Sequence, residues 1–191
     1  TDPVLKDQGA KTDYWKTGHS YIKRRVNELD AIAGFEKSGH FFFNPPIGLG
    51  YDDGIVTAIA VCEMLDRNPD KSMADLYRAL PLTYGSPTMS PHCDDEIKYD
   101  VIERVVARFE QMHKSGEKIA DHDIVDLITV NGVRVVTDDG TWGLVRASSN
   151  TPNLVVVCES SESEDELRAI FKDLDAIIRT EPEVGDYDQT F

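Results

Sequence analysis

The chain has 191 residues, 40% of them hydrophobic, which is enough for one or two packed domains. Lysine and arginine number 20 against 35 aspartates and glutamates, and the formal charge of −15 argues against nucleic acid and anionic membranes as partners. Repulsion from so acidic a surface is screened beyond about 8 Å at physiological salt, so a site for a phosphorylated ligand is still possible if it is locally basic or rich in uncharged donors.

In chain order, residues 1–18 are mixed and turn-rich. A short helix is predicted over 21–29, with Ser20 as its cap and Ile22, Val26 and Leu29 on one face. Residues 31–35 read as a strand, 34–40 interrupt it, and Phe41-Phe42-Phe43 reads as a second strand that Asn44-Pro45-Pro46 must end. Asp52 or Asp53 then caps a helix reaching about Leu65. It is apolar on nearly every side (Ile55, Val56, Ile59, Val61, Met64, Leu65), the pattern of a helix buried between layers. Another helix starts at Ser72 and stops before Pro81, with Met73, Leu76, Tyr77 and Leu80 inward.

Residues 81–93, rich in proline and hydroxyl side chains, read as an interdomain linker. Beyond it Ile97, Val101, Ile102, Val105, Phe109 and Met112 form one helical stripe. Four short strands follow at about 126–130, 133–137, 141–146 and 154–159, with Asn131-Gly132 and Asp139-Gly140 as hairpin turns. Ser163 to Glu166 is a capping box that opens a helix bearing Leu167, Ile170, Phe171, Leu174, Ile177 and Ile178. Helix, four-stranded meander and helix make a compact α+β domain with helices on one face of an antiparallel sheet. The tail from Glu181 to Phe191 is polar and is expected to fray.

Cys62, Cys93 and Cys158 are odd in number, widely spaced and form no CxxC, which favours a reducing compartment over a disulfide framework or a zinc site. No run approaches 18 apolar residues, so no membrane span is expected. The chain opens Thr1-Asp2-Pro3-Val4, without an initiator Met or an apolar leader core, and reads as a fragment or a processed product.

Four segments offer chemistry. Gly34 to His40 places Glu36, Lys37, Ser38 and His40 between two apolar strands. A carboxylate beside a hydroxyl can accept from and donate to neighbouring sugar hydroxyls; the segment is equally an ordinary polar turn. Arg146 to Pro152 joins an arginine fork to Ser148, Ser149, Asn150 and Thr151, a donor set that suits phosphate oxygens but also fits a solvated hairpin loop. Lys16 to Ser20 sets Lys16 and His19 at a helix start, where N–H groups favour anions or where His19 is incidental. Asp52-Asp53 suggests a metal, but acidic residues also complement a helix dipole, as do Asp94, Asp95 and Glu96. His113 and His122 read as surface or loop residues. No P-loop, GxGxxG, HExxH or GxSxG is present.

Taken in order, Lys16 to Lys23, Gly34 to His40, Gly50 to Ile55 and Arg146 to Pro152 resemble the α-D-phosphohexomutase superfamily, specifically the phosphomannomutase/phosphoglucomutase group. The resemblance covers nearly the whole chain. It implies a partial α/β third domain over residues 1–80, the linker at 81–93, and a small α+β fourth domain over 94–191 with a four-stranded antiparallel sheet flanked by helices. It implies that Glu36, Ser38 and His40 hold the hexose hydroxyls and that His19 is a catalytic histidine. Arg146, Ser148, Ser149, Asn150 and Thr151 fall on the loop that grips the non-transferring phosphate. The family pattern Arg-x-Ser-Asn-Thr is altered here by an additional serine, so either Ser149 or Asn150 stands for its asparagine.

The family's Thr-x-Ser-His-Asn-Pro phosphoserine loop and its Asp-Gly-Asp-x-Asp-Arg magnesium loop do not occur in this chain. The resemblance thus implies a cytoplasmic isomerase of carbohydrate metabolism, a phosphoprotein, whose N-terminal domains supply the nucleophile and the Mg²⁺ ligands, with no metal held by this chain. A phosphoserine donates its phosphoryl group to a hexose phosphate, and the bisphosphorylated sugar returns its other phosphate after reorienting, with glucose 1,6-bisphosphate as activator. On this reading the chain alone recognises substrate without turning it over. The alternative is a non-catalytic binding or interaction module.

Overall fold

A computed structural model describes residues 3–191, apart from the side chains of Pro3 and Val4. The chain divides into two compact units, one reaching Ala79 and the other running from Leu80 to Phe191.

The first unit holds α1 (Pro3–Asp7), α2 (His19–Glu28), β1 (Ala33–Phe35), β2 (Phe41–Phe43), α3 (Gly54–Asp66) and α4 (Met73–Arg78). The two strands pair antiparallel, with Ala33 opposite Phe43 and Phe35 opposite Phe41. Helix α2 lies on this hairpin: a Cβ at Gly34 would stand 2.6 Å from Val26 Cγ2 and 2.8 Å from Ile22 Cγ2, so only glycine lets the helix approach so closely. Among the described residues of this unit, Val26 and Phe42 are the buried apolar ones.

Several expectations for this unit are corrected. Helix α2 begins at His19 with Gly18 as its cap residue, which places Ser20 in the first turn, and Leu29 is exposed. Asp53 caps α3 through its side chain as expected, but no residue of α3 is buried: Ile55 is 76% and Ile59 61% exposed. Helix α4 has a full Ser72/Asp75 capping box, yet Met73 and Tyr77 face outward, and Leu80, just beyond this unit, is exposed as well. In each case the apolar pattern was read as burial, and this unit lacks the layers that would cover it.

The second unit has a five-stranded antiparallel sheet. Its order is β3 (Tyr84–Gly85), β7 (Leu154–Ser160), β6 (Trp142–Ala147), β5 (Val133–Thr137) and β4 (Ile124–Ile128). Helices α5 (Lys98–Ser115) and α6 (Glu164–Ile178) pack on it. Val101, Val105, Phe109, Leu167, Ile170, Leu174 and Ile178 from the helices form one core with Val133, Val135, Val145, Leu154, Val156 and Cys158 from the strands.

The fifth strand corrects the reading of 81–93 as a linker. Tyr84 and Gly85 pair with β7, Met89 bridges Val156, and Met89 and Cys93 are fully buried. Proline punctuation hid an edge strand, where missing N–H groups are tolerated. The tail is not frayed. Tyr187 bridges Pro91, Asp188 Oδ1 accepts from Ser90 N at 2.8 Å, and the Phe191 ring lies tilted against Phe171 with centroids 5.2 Å apart. Of the capping box at α6, one bond forms, with the Ser163 side chain accepting from Glu166 N.

Candidate functional site

In the first unit three of the singled-out segments come together. Gly18, at the head of α2, has φ +131°, a conformation that glycine adopts without strain. Its N–H donates to Glu36 Oε1 at 2.9 Å. The Glu36 carboxylate therefore satisfies a donor at a helix N-terminus, where the backbone dipole also favours negative charge. Its other oxygen accepts a long bond from Ser38 Oγ at 3.4 Å. The loop between the strands closes through Gly39 N to Glu36 O and Glu36 N to His40 O. Glu36 and Ser38 thus form an edge of mixed acceptor and donor character.

His40 Nδ1 lies 2.6 Å from Asp52 Oδ2. A carboxylate only accepts, so Nδ1 donates, and in the neutral ring the lone pair falls on Nε2. Asp52 and Asp53 therefore have different duties. Asp53 Oδ1 accepts from Ile55 N and Val56 N and starts α3, whereas Asp52 orients His40. Read locally, both aspartates suit a metal or a helix dipole; the His40 pairing depends on the bridge between Phe42 and Asp52 and has no local sequence signal. His19 is the first residue of α2, and its ring meets Phe42 edge-on at 5.4 Å.

In the second unit Arg146 lies near the end of β6, opposite Val155, and Nη1 donates to Ala147 O at 3.0 Å. Gly132, at φ +73°, sits under this strand end: a Cβ there would lie 2.1 Å from Val145 O and 2.7 Å from Arg146 Cα. The loop after Ala147 is organised by Ser148, whose hydroxyl pairs with Thr151 Oγ1 at 2.9 Å and accepts from Asn150 N and Thr151 N. Ser148 is buried and shapes the loop, while Ser149, Asn150 and Thr151 are exposed, with Ser149 Oγ donating to Asn150 Oδ1.

Among the described residues, the paired aspartates Asp52 and Asp53 do not suit Mg²⁺, which takes near-octahedral oxygen ligands. Asp52 and Asp53 are committed to His40 and to α3. Among the described residues, the one cluster with metal-ligand spacing is His122, Asp139 and Glu166, which sequence reading passed over as a surface histidine. There His122 Nδ1 donates to Asp138 Oδ1 at 2.8 Å, and Nε2 lies 3.3 Å from Glu166 Oε2 and 3.7 Å from Asp139 Oδ2. The hydrogen bond to Asp138, with the charges of Asp139 and Glu166, raises the His122 pKa and makes the cluster an ion-pair hub. Burial opposes ionisation of Asp139, but bonds from the Thr137 and Thr141 hydroxyls and from Thr141 N hold its pKa below the ordinary value. Burial pushes the Cys93 thiol upward, away from the reactive thiolate form. Among the described residues no helix is long and apolar enough to cross a membrane.

Two family models match. Residues 1–84 match phosphoglucomutase/phosphomannomutase, alpha/beta/alpha domain III, and residues 93–177 match the C-terminal domain of phosphoglucomutase/phosphomannomutase. A phosphomannomutase/phosphoglucomutase of Pseudomonas putida is 34% identical over 184 residues, 95% of this chain and 36% of its own length. A phosphoglucomutase of Neisseria meningitidis serogroup A is 29% identical over 94% of this chain and 36% of its own length. The crystal structure of a phosphoglucomutase/phosphomannomutase family protein from Burkholderia thailandensis superposes with TM-score 0.76 at 26% identity, over 97% of this chain and 36% of that one. The chain therefore spans about a third of the length of these relatives. With domain III and the C-terminal domain matched in order along one sequence, the chain belongs to the phosphoglucomutase/phosphomannomutase family.

Proposed function

We propose that this chain is the substrate-recognition part of a phosphomannomutase/phosphoglucomutase that interconverts hexose 1-phosphate and hexose 6-phosphate through a bisphosphorylated intermediate. The observation that carries the reading is the meeting, in the first unit, of residues far apart in sequence: Gly18 with Glu36, and His40 with Asp52. An ordinary polar turn needs neither partnership. Glu36 and Ser38 bind sugar hydroxyls, and His40, aligned by Asp52, carries a proton on Nε2 to or from a hydroxyl. His19, at the first position of α2, stands where anions are favoured and is proposed as a second active-site histidine. In the second unit Arg146 and the exposed donors of residues 149–151 bind the phosphate that is not transferred. Of the two candidates for the family's asparagine, Ser149 directly follows the Ser148 that organises the loop.

The nucleophilic serine and the Mg²⁺ ligands are proposed to lie on residues outside this chain, in N-terminal domains of the same enzyme, with glucose 1,6-bisphosphate as activator. Mg²⁺ there would neutralise charge on the transferred phosphoryl group. We propose the cytoplasm as the enzyme's compartment, because three widely spaced cysteines without a CxxC suit a reducing one.

The test is a pair of measurements on the 191-residue chain. Titration with glucose 6-phosphate or mannose 6-phosphate, followed by amide NMR, is expected to shift residues 36–40 and 146–151 at weak affinity. A coupled assay with glucose 1,6-bisphosphate and Mg²⁺ is expected to show no turnover. Sustained conversion by this chain would refute the placement of the nucleophile elsewhere, and an absence of shifts at both loops would favour an interaction module.

A further inference from the structure

We infer that Lys98 is a positioning residue for the loop over 148–152, an inference that rests on reading that loop as the phosphate site. Lys98 is the first residue of α5 and is 3% exposed. That is an unfavourable place for an ammonium. A cation at a helix N-terminus opposes the backbone dipole, and burying a charge carries a desolvation penalty that a solvated lysine avoids. Neither helix stability nor burial accounts for it, so its contacts must.

Nζ has two named acceptors. One is Asp95 Oδ1 at 2.5 Å, and the other is the carbonyl oxygen of Thr151, 53 residues away, at 3.0 Å. The second bond reaches into the middle of the phosphate loop. The Thr151 carbonyl belongs to the peptide that joins Thr151 to Pro152, and proline brings no N–H. That peptide can offer an anion only a repulsive oxygen, and Lys98 draws this oxygen inward.

The same stretch of chain ties down the neighbouring carbonyl. Cys93 N donates to Pro152 O at 2.9 Å, and Leu154 N donates to Pro91 O at 2.9 Å. Inside the loop Asn153 N donates to Thr151 O at 2.8 Å and Ser148 N to Asn153 O at 3.0 Å. The carbonyls of Thr151, Pro152 and Asn153 are thus taken up by protein donors, while the side chains of Ser149, Asn150 and Thr151 are exposed. Asp95 offsets the ammonium charge at close range, so Lys98 acts through the orientation of the Thr151 peptide and not by attracting the ligand.

A buried charge that stabilises little but holds a functional loop separates two quantities that a purely structural residue would couple. In the 191-residue chain, affinity for inorganic phosphate by NMR titration and the thermal midpoint are measured for the native chain, R146A, K98M and K98Q. K98M replaces the ammonium with an apolar chain of similar length, and it leaves no buried charge behind, because the Asp95 side chain is 66% exposed and Thr151 O keeps its bond from Asn153 N. The expected result is a thermal midpoint equal to or above the native one, with phosphate affinity reduced about tenfold. K98Q, which keeps a donor, is expected to lose less. If K98M does not fold, K98Q is judged by the same two quantities. Native affinity in a folded Lys98 variant, while R146A weakens binding, overturns the inference. A joint, proportionate loss of stability and affinity overturns it as well, since that is what a structural residue produces. If R146A itself binds phosphate normally, the loop is not the phosphate site, and that reading fails first.

Discussion

The two units of this chain use apolar residues in opposite ways. In the second unit the periodic residues of α5 and α6 meet the inward residues of five strands, and Val101, Val105, Phe109, Ile170, Leu174 and Ile178 are at most 1% exposed. In the first unit the most apolar helix, α3, has no buried residue, and Tyr77, Met73 and Ile32 also stand exposed. A helix that is apolar on all sides is written for burial between layers. The second unit completes its own core within this chain, whereas the first carries a sequence that calls for more cover than the chain gives it.

The sharpest way to break this contrast is to cut it. Residues 80–191 alone are expected to unfold cooperatively near the transition of the whole chain. Residues 1–79 alone are expected to bind a hydrophobic dye and to self-associate in light scattering, because the apolar surface exceeds what monomers normally tolerate. A clean monomer with a sharp transition from 1–79 would refute the contrast. Next in size are two isoleucines of equal volume. Ile170→Ala in the second unit empties a fully buried site and should cost about 2–5 kcal/mol by chemical denaturation. Ile59→Ala in α3 removes a side chain that is 61% exposed and should lie within about 0.5 kcal/mol of native. Similar losses at the two positions would mean that α3 is covered after all.

What could be read beforehand divides along the same line. The helical stripe from Val101 to Met112 and the hairpin turns at Asn131-Gly132 and Asp139-Gly140 were legible because each packs or turns as its local pattern dictates. Tyr84–Gly85 was not, since two paired residues among prolines have no period to detect. Burial of α3 was misjudged because the pattern reports what a helix was written for, not what surrounds it. Among the site residues, Glu36, Ser38 and His40 stand out as polar groups between strands. Their partners Gly18 and Asp52 are set by long-range closure, which no spacing rule captures. His122 was passed over for the same reason: its acidic neighbours come from a hairpin turn and from the first turn of α6.

A smaller effect sharpens the comparison from the binding side. Arg146→Ala is expected to weaken phosphate binding by about 1.5–3 kcal/mol, the size of a hydrogen bond to a charged group. The thermal midpoint should hardly move, because Arg146 is not part of the second unit's apolar core. Isothermal titration and a melting curve on the same sample read both. A large fall in midpoint would show that Arg146 supports the fold and would remove the basis for calling it a ligand-binding residue.

The smallest expected effect is a pH dependence confined to the second unit. His122 is held above its ordinary pKa, first by its hydrogen bond to Asp138 and then by the nearby carboxylates of Asp139 and Glu166. A group whose folded pKa is raised contributes stability that is fully present below its unfolded value, about 6.5 for histidine, and that is lost as the pH rises through the folded value. Asp139 runs the other way: its folded pKa is lowered, so its contribution is lost only as the pH falls toward acid, far below this window. Between pH 6 and pH 8 the second unit should therefore become less stable, by no more than about 1 kcal/mol, the scale of a partly exposed ion pair. His122→Asn keeps much of the shape and does not titrate, so subtracting its profile from the native one removes the contributions of the other histidines. A difference that is flat over this interval would mean that the three carboxylates do not hold a proton on His122 and that the cluster has another occupant.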